Sequence, residues 1–188
     1  AALRAERRAE ALAELGKALG LPGPPRRIEC FDVSTTGGAQ ATASMTVMLD
    51  GEPAPDRYRR FRIRHAGGMD DFAMLAEALS RRLAGDDPLP DLIVVDGGAG
   101  QVARAAEAIA AAGRGALPLA GIAKSRRAGG ARTAERIFLP GSSAPLTLPE
   151  DSPASQLLQA LRDEAHRVAI AHHRKLRGAH ALTGGLRS

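Results

Sequence analysis

Leu92-Ile-Val-Val-Asp-Gly-Gly-Ala-Gly-Gln101 is the stretch on which the fold turns. Its first four residues are apolar, the pattern of a short strand buried on both faces. The run stops at a carboxylate, Asp96, and side-chain-free backbone follows at Gly97 and Gly98. An Ala-rich helical pattern begins at about Val102. Asp96 is thereby expected at the C-terminal end of a buried strand, where ligands of open α/β sheets collect. A carboxylate there is well placed to hold a cation or face a phosphate. A lone Asp-Gly-Gly is more often a plain strand-to-helix turn with the Asp as a local cap. Other ligands converging on Asp96 would decide between the two.

Working outward, the chain before this strand alternates in the manner of a sheet. Arg27 to Val33 reads as a first strand, with Ile28, Cys30 and Asp32 on one side and Glu29, Phe31 and Val33 on the other. Ala39 to Leu49 alternates again, with Thr42, Ser44 and Thr46 making its polar face. Asp50-Gly51 is a hairpin signal. Tyr58 to Ile63 reads as a third strand, and three consecutive antiparallel strands follow from this. A helix is predicted from about Asp70 to Leu83, on the apolar stripe Met74, Leu75, Ala78, Leu79 and Leu83.

Beyond the central stretch, the helix after Gly98 runs to about Ala112, and Leu117 to Ala123 reads as a fifth strand. Lys124 to Arg136 is Gly- and Arg-rich and reads as a loop. Ile137-Phe-Leu139 and Leu146-Thr-Leu148 flank a turn and predict a small hairpin. Ser152-Pro153 starts a long helix, an N-cap followed by Pro at the first position, which runs to about Leu176. The predicted order is β-β-β-α-β-α-β, then a hairpin and a helix. It implies an α/β fold with a mixed sheet, antiparallel strands first and parallel strands after, and helices on both faces. That is the order of a ribonuclease H-like fold. The predicted organisation is an N-terminal helix and Pro-rich linker over residues 1–25, a domain over 26–177 and a tail over 178–188.

Composition narrows the class. The chain has 188 residues, 44% hydrophobic and 25% charged, which suits a soluble globular domain with its own core. The formal net charge of +5, carried mostly by Arg, suits a polyanionic partner without requiring one. A single cysteine, Cys30, excludes an intramolecular disulfide and a multi-thiolate zinc site, and agrees with a reducing compartment. No stretch has the length of a membrane span, so a cytoplasmic location is expected. With no Trp and one Tyr, Tyr58, base-stacking platforms are scarce. Nucleic-acid binding would therefore rest on phosphate contacts.

Asp32 sits mid-to-late in the first strand among apolar neighbours, where a carboxylate is costly unless paired or bound to metal. In a ribonuclease H-like sheet the first and fourth strands are neighbours, which brings Asp32 beside Asp96. Two facing carboxylates repel, and a divalent cation is the common remedy. His166 on the last helix joins them if that helix crosses the sheet. It would act as a ligand, suited to Mn²⁺ more than Mg²⁺, or as a proton carrier to the leaving group.

At these residues the sequence resembles a known family. Phe31-Asp-Val-Ser34, Tyr58-Arg-Arg-Phe61, Asp70-Asp71, Val95-Asp-Gly-Gly98 with Gly100-Gln101, and Ala123-Lys124 are similar to the C-terminal endonuclease domain of UvrC. So are Phe138-Leu-Pro140, Asp151-Ser-Pro153, Arg162-Asp-Glu-Ala-His-Arg167 and His173-Arg-Lys175, in the same order and spacing. The resemblance runs from about Arg27 to Arg177. It implies a metal-dependent endonuclease that makes the 5′ incision in damaged double-stranded DNA during bacterial nucleotide excision repair, with UvrB as partner in the full-length context. It implies Asp32 and Asp96 as metal-binding residues and His166 as the functional histidine. A further family carboxylate falls at Asp71, with Asp70 as the runner-up. Mn²⁺ or Mg²⁺ is the implied cofactor. Arg59, Arg60, Arg62, Lys124, Arg126, Arg127, Arg174 and Lys175 are candidates for phosphate contacts.

The sequence departs from the family in places. Thr35-Thr36 stands where the family usually has His-Thr, and a chain with only Tyr58 lacks the paired-Tyr motif of the 3′-incising module. No helix-hairpin-helix region follows within the sequence, so an isolated domain is expected. Other expectations in keeping with the fold are a nuclease for hybrid or branched substrates and a catalytically silent DNA-binding module.

Overall fold

The computed structural model describes residues 2–34, 41–64, 70–124 and 135–184. Helix α1 (Ala2–Ala18) precedes β1 (Arg27–Ser34), β2 (Thr42–Leu49) and a two-residue β3 (Glu52–Pro53). A 3₁₀ turn (Pro55–Arg57) leads to β4 (Arg59–Arg62), α2 (Asp71–Leu83), β5 (Leu92–Asp96) and α3 (Ala99–Ala111). Then come β6 (Leu119–Lys124), β7 (Glu135–Phe138), β8 (Leu146–Thr147) and α4 (Pro153–Gly184).

The strands form one sheet of order β3-β2-β1-β5-β6-β7-β8, with β4 also paired to β2. β1 pairs antiparallel with β2 and parallel with β5, and β5 pairs parallel with β6. The Asp50-Gly51 turn between β2 and β3 has positive φ at both residues, 52° and 81°, as a two-residue hairpin requires.

The two-residue period of β1 divides the interior. Phe31 faces Leu75, Leu79, Val102 and Ile109 of α2 and α3. Ile28 and Cys30 face Leu12 and Leu15 of α1 and Leu157, Leu158 and Leu161 of α4. The fold is the mixed α/β arrangement read from the sequence, with helices on both faces. The polar face of β2 is covered as well: Thr42, Ser44 and Thr46 are buried, because α4 lies over them.

Several boundaries differ from the sequence reading. The third predicted strand is shorter, and its Pro-containing approach holds β3 and the 3₁₀ turn. α3 begins at Ala99, because Gly98 already serves as its N-cap. Lys124, Glu135 and Arg136, read as loop, are strand residues, while 125–134 lie outside the described residues. α4 runs to Gly184, past Leu176 and through most of the expected 178–188 tail. Gly178 costs a helix only about 1 kcal/mol, too little to end one rich in Ala, Leu, Arg and Lys.

One interior feature carries no local sequence signal. Glu29 and Arg82 are both fully buried on the α2/α3 side and pair through two 2.8 Å hydrogen bonds. Arg82 also donates to the Pro88 carbonyl at 2.7 Å.

Candidate metal centre

Phe31 lies opposite Val95 in the parallel β1–β5 pairing, so the next residues, Asp32 near the end of β1 and Asp96 at the end of β5, are neighbours. By alternation they share the face of Cys30 and Val94, which α4 covers. Ser152 starts that helix as predicted, its Oγ accepting from Ser155 N–H at 3.2 Å. Leu157, Leu158, Leu161 and Ala165 seat the helix on the sheet, and His166 follows. One ligand atom each from Asp32, Asp96 and His166 lie within 4.8 Å of one another.

His166 Nδ1 is 3.3 Å from Asp32 Oδ2. Asp32 is 9% exposed, and its carboxyl is pushed up to about 6. Burial is the main cause and the charge of Asp96 the next, while His166 pulls the other way. Two carboxylates and an imidazole at this spacing fit one divalent cation, whose charge offsets the repulsion between the acids. Cys30 is buried and its thiol raised, chiefly by burial, so it is an inert core residue.

Two further contacts brace the histidine helix. Tyr58 donates to Glu164 Oε1 at 2.8 Å, tying α4 to the approach of β4. Arg162, one turn before His166, donates from one terminal nitrogen to Glu135 Oε1 at 3.0 Å, and its Nε lies 3.8 Å from Asp96 Oδ1. Neither Arg162 nor Glu135 was singled out from the sequence as a site residue. The Arg162 to His166 spacing, i to i+4, was the available signal, since it puts both on one helix face.

The other expected residues are spread more widely. Asp70 caps α2, its Oδ1 accepting from Phe72 N–H at 2.9 Å, and Asp71 is exposed in the first turn. β4 runs parallel to β1, so α2 begins from the edge that holds Asp32 and Asp96, yet neither acid joins the group of three. Arg60 pairs in register with Ser44, which pairs with Asp32, so Arg60 shares the row and face of the site and is exposed. Arg62 is exposed on the same face. Arg59 is on the opposite face, 3.7 Å from Asp87 and 4.9 Å from the Phe61 ring centre. Arg126 and Arg127 lie outside the described residues, as do the side chains of Lys124, Arg174 and Lys175.

The comparison with known proteins decides the family. A family model described as the UvrC RNAse H endonuclease domain matches residues 16–170. The chain belongs to this family. UvrABC system protein C of Trichlorobacter lovleyi is 46% identical over 187 residues, spanning 94% of this chain and 31% of that protein. The Bdellovibrio bacteriovorus protein of the same name is 42% identical over 192 residues, spanning 97% and 30%. The chain thus spans less than a third of these UvrC relatives. A crystal structure of Ciona intestinalis Endonuclease V, in complex with a 24mer DNA containing an inosine followed by a ribo-adenosine, superposes with a TM-score of 0.50. It is 14% identical and covers 91% of this chain and 99% of that one, so what the two share is the fold, ribonuclease H-like as the strand order implied. No described helix of this UvrC-family chain is long and apolar enough to cross a membrane.

Proposed function

We propose that the chain is a divalent-metal-dependent DNA endonuclease domain that makes the 5′ incision in the damaged strand during bacterial nucleotide excision repair. The observation that carries this reading is the meeting of Asp32, Asp96 and His166 from β1, β5 and α4. Membership of the UvrC endonuclease family supports it independently. The relatives' designation as UvrABC system components supports damaged duplex DNA as substrate and UvrB as partner, and a cytoplasmic site of action accords with both.

Asp32 and Asp96 would hold Mn²⁺ or Mg²⁺ through carboxylate oxygens, with His166 as the third ligand or as proton carrier to the leaving oxygen. When bound there, such an ion would supply Lewis-acid polarisation of the phosphoryl group and a lowered pKa for an attacking water. Asp32 must be ionised to bind it, so affinity for the cation rises with pH until the metal-free carboxyl has titrated at about 6. Arg60 is the phosphate anchor best supported by position, being two strands from Asp32 in one register row. Arg62 extends the same face. Arg59, engaged with Asp87, is a weaker candidate. Lys124, at the end of β6 as Asp96 is at the end of β5, and Arg126, Arg174 and Lys175 remain candidates as basic residues, and Asp71 enters on the family resemblance as a further acidic residue. The working unit is residues 26–177, with α1 packed against it.

Plasmid nicking in Mn²⁺ tests the reading. Asp32→Asn and His166→Ala each lose nicking while their circular dichroism spectra match the parent. A folded variant that nicks at the parental rate overturns the assignment.

A further inference from the structure

Arg162 and Glu135 are 8% and 7% exposed, yet each keeps a buried polar atom without a hydrogen-bond partner: Arg162 Nε and Glu135 Oε2. The large majority of buried side-chain polar atoms are satisfied in folded proteins, so an orphan here calls for a reason. A plain structural tie between α4 and β7 would use its donors on fixed partners. Arg162 instead gives one terminal nitrogen to Glu135 and leaves Nε 3.8 Å from Asp96 Oδ1, within ionic reach but too far to hydrogen-bond. Only about 0.6 Å separates this contact from the upper end of ordinary N–H···O lengths.

We propose that Arg162 is a positioning residue for Asp96. Glu135 clamps the guanidinium, and Nε–H takes up one oxygen of Asp96 in the working state, so that Asp96 presents a single, oriented oxygen to the ion. The arrangement also sets a fixed positive charge beside the acids, which disfavours a second divalent ion bridging on Asp96. This deepens the metal-centre reading and rests on it.

The test compares Mn²⁺ dissociation constants, metal-free melting and the split between kcat and KM for the parent and two variants. Arg162→Lys keeps a charge beside Glu135 but has no Nε–H at that place. Arg162→Met combined with Glu135→Gln removes the clamp without leaving a buried carboxylate unpaired. Both bind Mn²⁺ about tenfold or more weakly, with kcat falling more than KM changes, as loss of a ligand-orienting contact does. Parental Mn²⁺ affinity in a folded variant overturns the role. In the parent soaked in Mn²⁺, the Arg162 Nε to Asp96 Oδ1 distance contracts to hydrogen-bonding length; a gap still at 3.8 Å overturns it too. A parent that binds no Mn²⁺ at all instead refutes the metal-centre reading beneath it.

Discussion

Asp32 sits beside a second carboxylate under a helix, and the strain of that placement can be read without any metal. Its carboxyl is raised from 3.8 to about 6, by burial first and by Asp96 second. The folded chain therefore holds a proton that the unfolded chain has released between those pH values. The contribution of this group to folding stability is therefore fully present below the unfolded value and is lost as pH rises through the folded one. The metal-free parent should lose on the order of 2–3 kcal/mol relative to Asp32→Asn between pH 4 and 7, by urea unfolding. A pH-independent difference between the two would refute the shift. Asp32 and Asp96 stand out in the sequence as carboxylates in apolar strands, while His166 draws notice only through the family resemblance and the crossing of its helix. Arg162 and Glu135 do not stand out, because a charged residue is normally solvated, and only the packed helix shows that these two are buried.

At the scale of elements, the turn after β5 rests on a neighbour that its own sequence does not name. Gly97 N–H donates to the Ile122 carbonyl at 2.9 Å, and Gly121 in β6 lies directly beneath. A Cβ at position 121 would fall 2.6 Å from the Gly97 carbonyl oxygen and overlap Val102 Cγ2. Gly97 itself has φ of 151°, and a Cβ there would overlap Gln101. Gly121→Ala should thus cost about 1–3 kcal/mol by thermal melting, as overpacking does, and weaken Mn²⁺ binding by displacing Asp96. Unchanged melting and binding would count against this account of the turn. The Asp-Gly-Gly turn and the Ser152 cap were readable because their chemistry is local. The role of Gly121 was not, since its partners are distant in sequence. The far end of α4 was misread because a single glycine was given the weight of a stop.

Across the whole molecule, the order of strands and helices was recoverable from the chain because antiparallel hairpins and βα units each have their own period. How the outer layers close was less legible. α1 is seated in the core: Leu12 and Leu15 are 5% and 0% exposed beneath α4, and Glu14 accepts from Ala154 N–H at 3.3 Å, at the start of that helix. Leu15→Ala should cost about 2–5 kcal/mol in urea unfolding through the cavity it leaves. A loss under about 0.5 kcal/mol, typical of surface positions, would mean that α1 is not integral to the fold. The Glu29–Arg82 pair was equally invisible beforehand, because its partners come from β1 and α2 and only the assembled core brings them together.

His166 comes from the helix that follows every described strand, while its partner Asp32 lies 134 positions earlier. During synthesis the two acids emerge well ahead of the imidazole, so the three side chains can meet only once α4 has docked on the finished sheet.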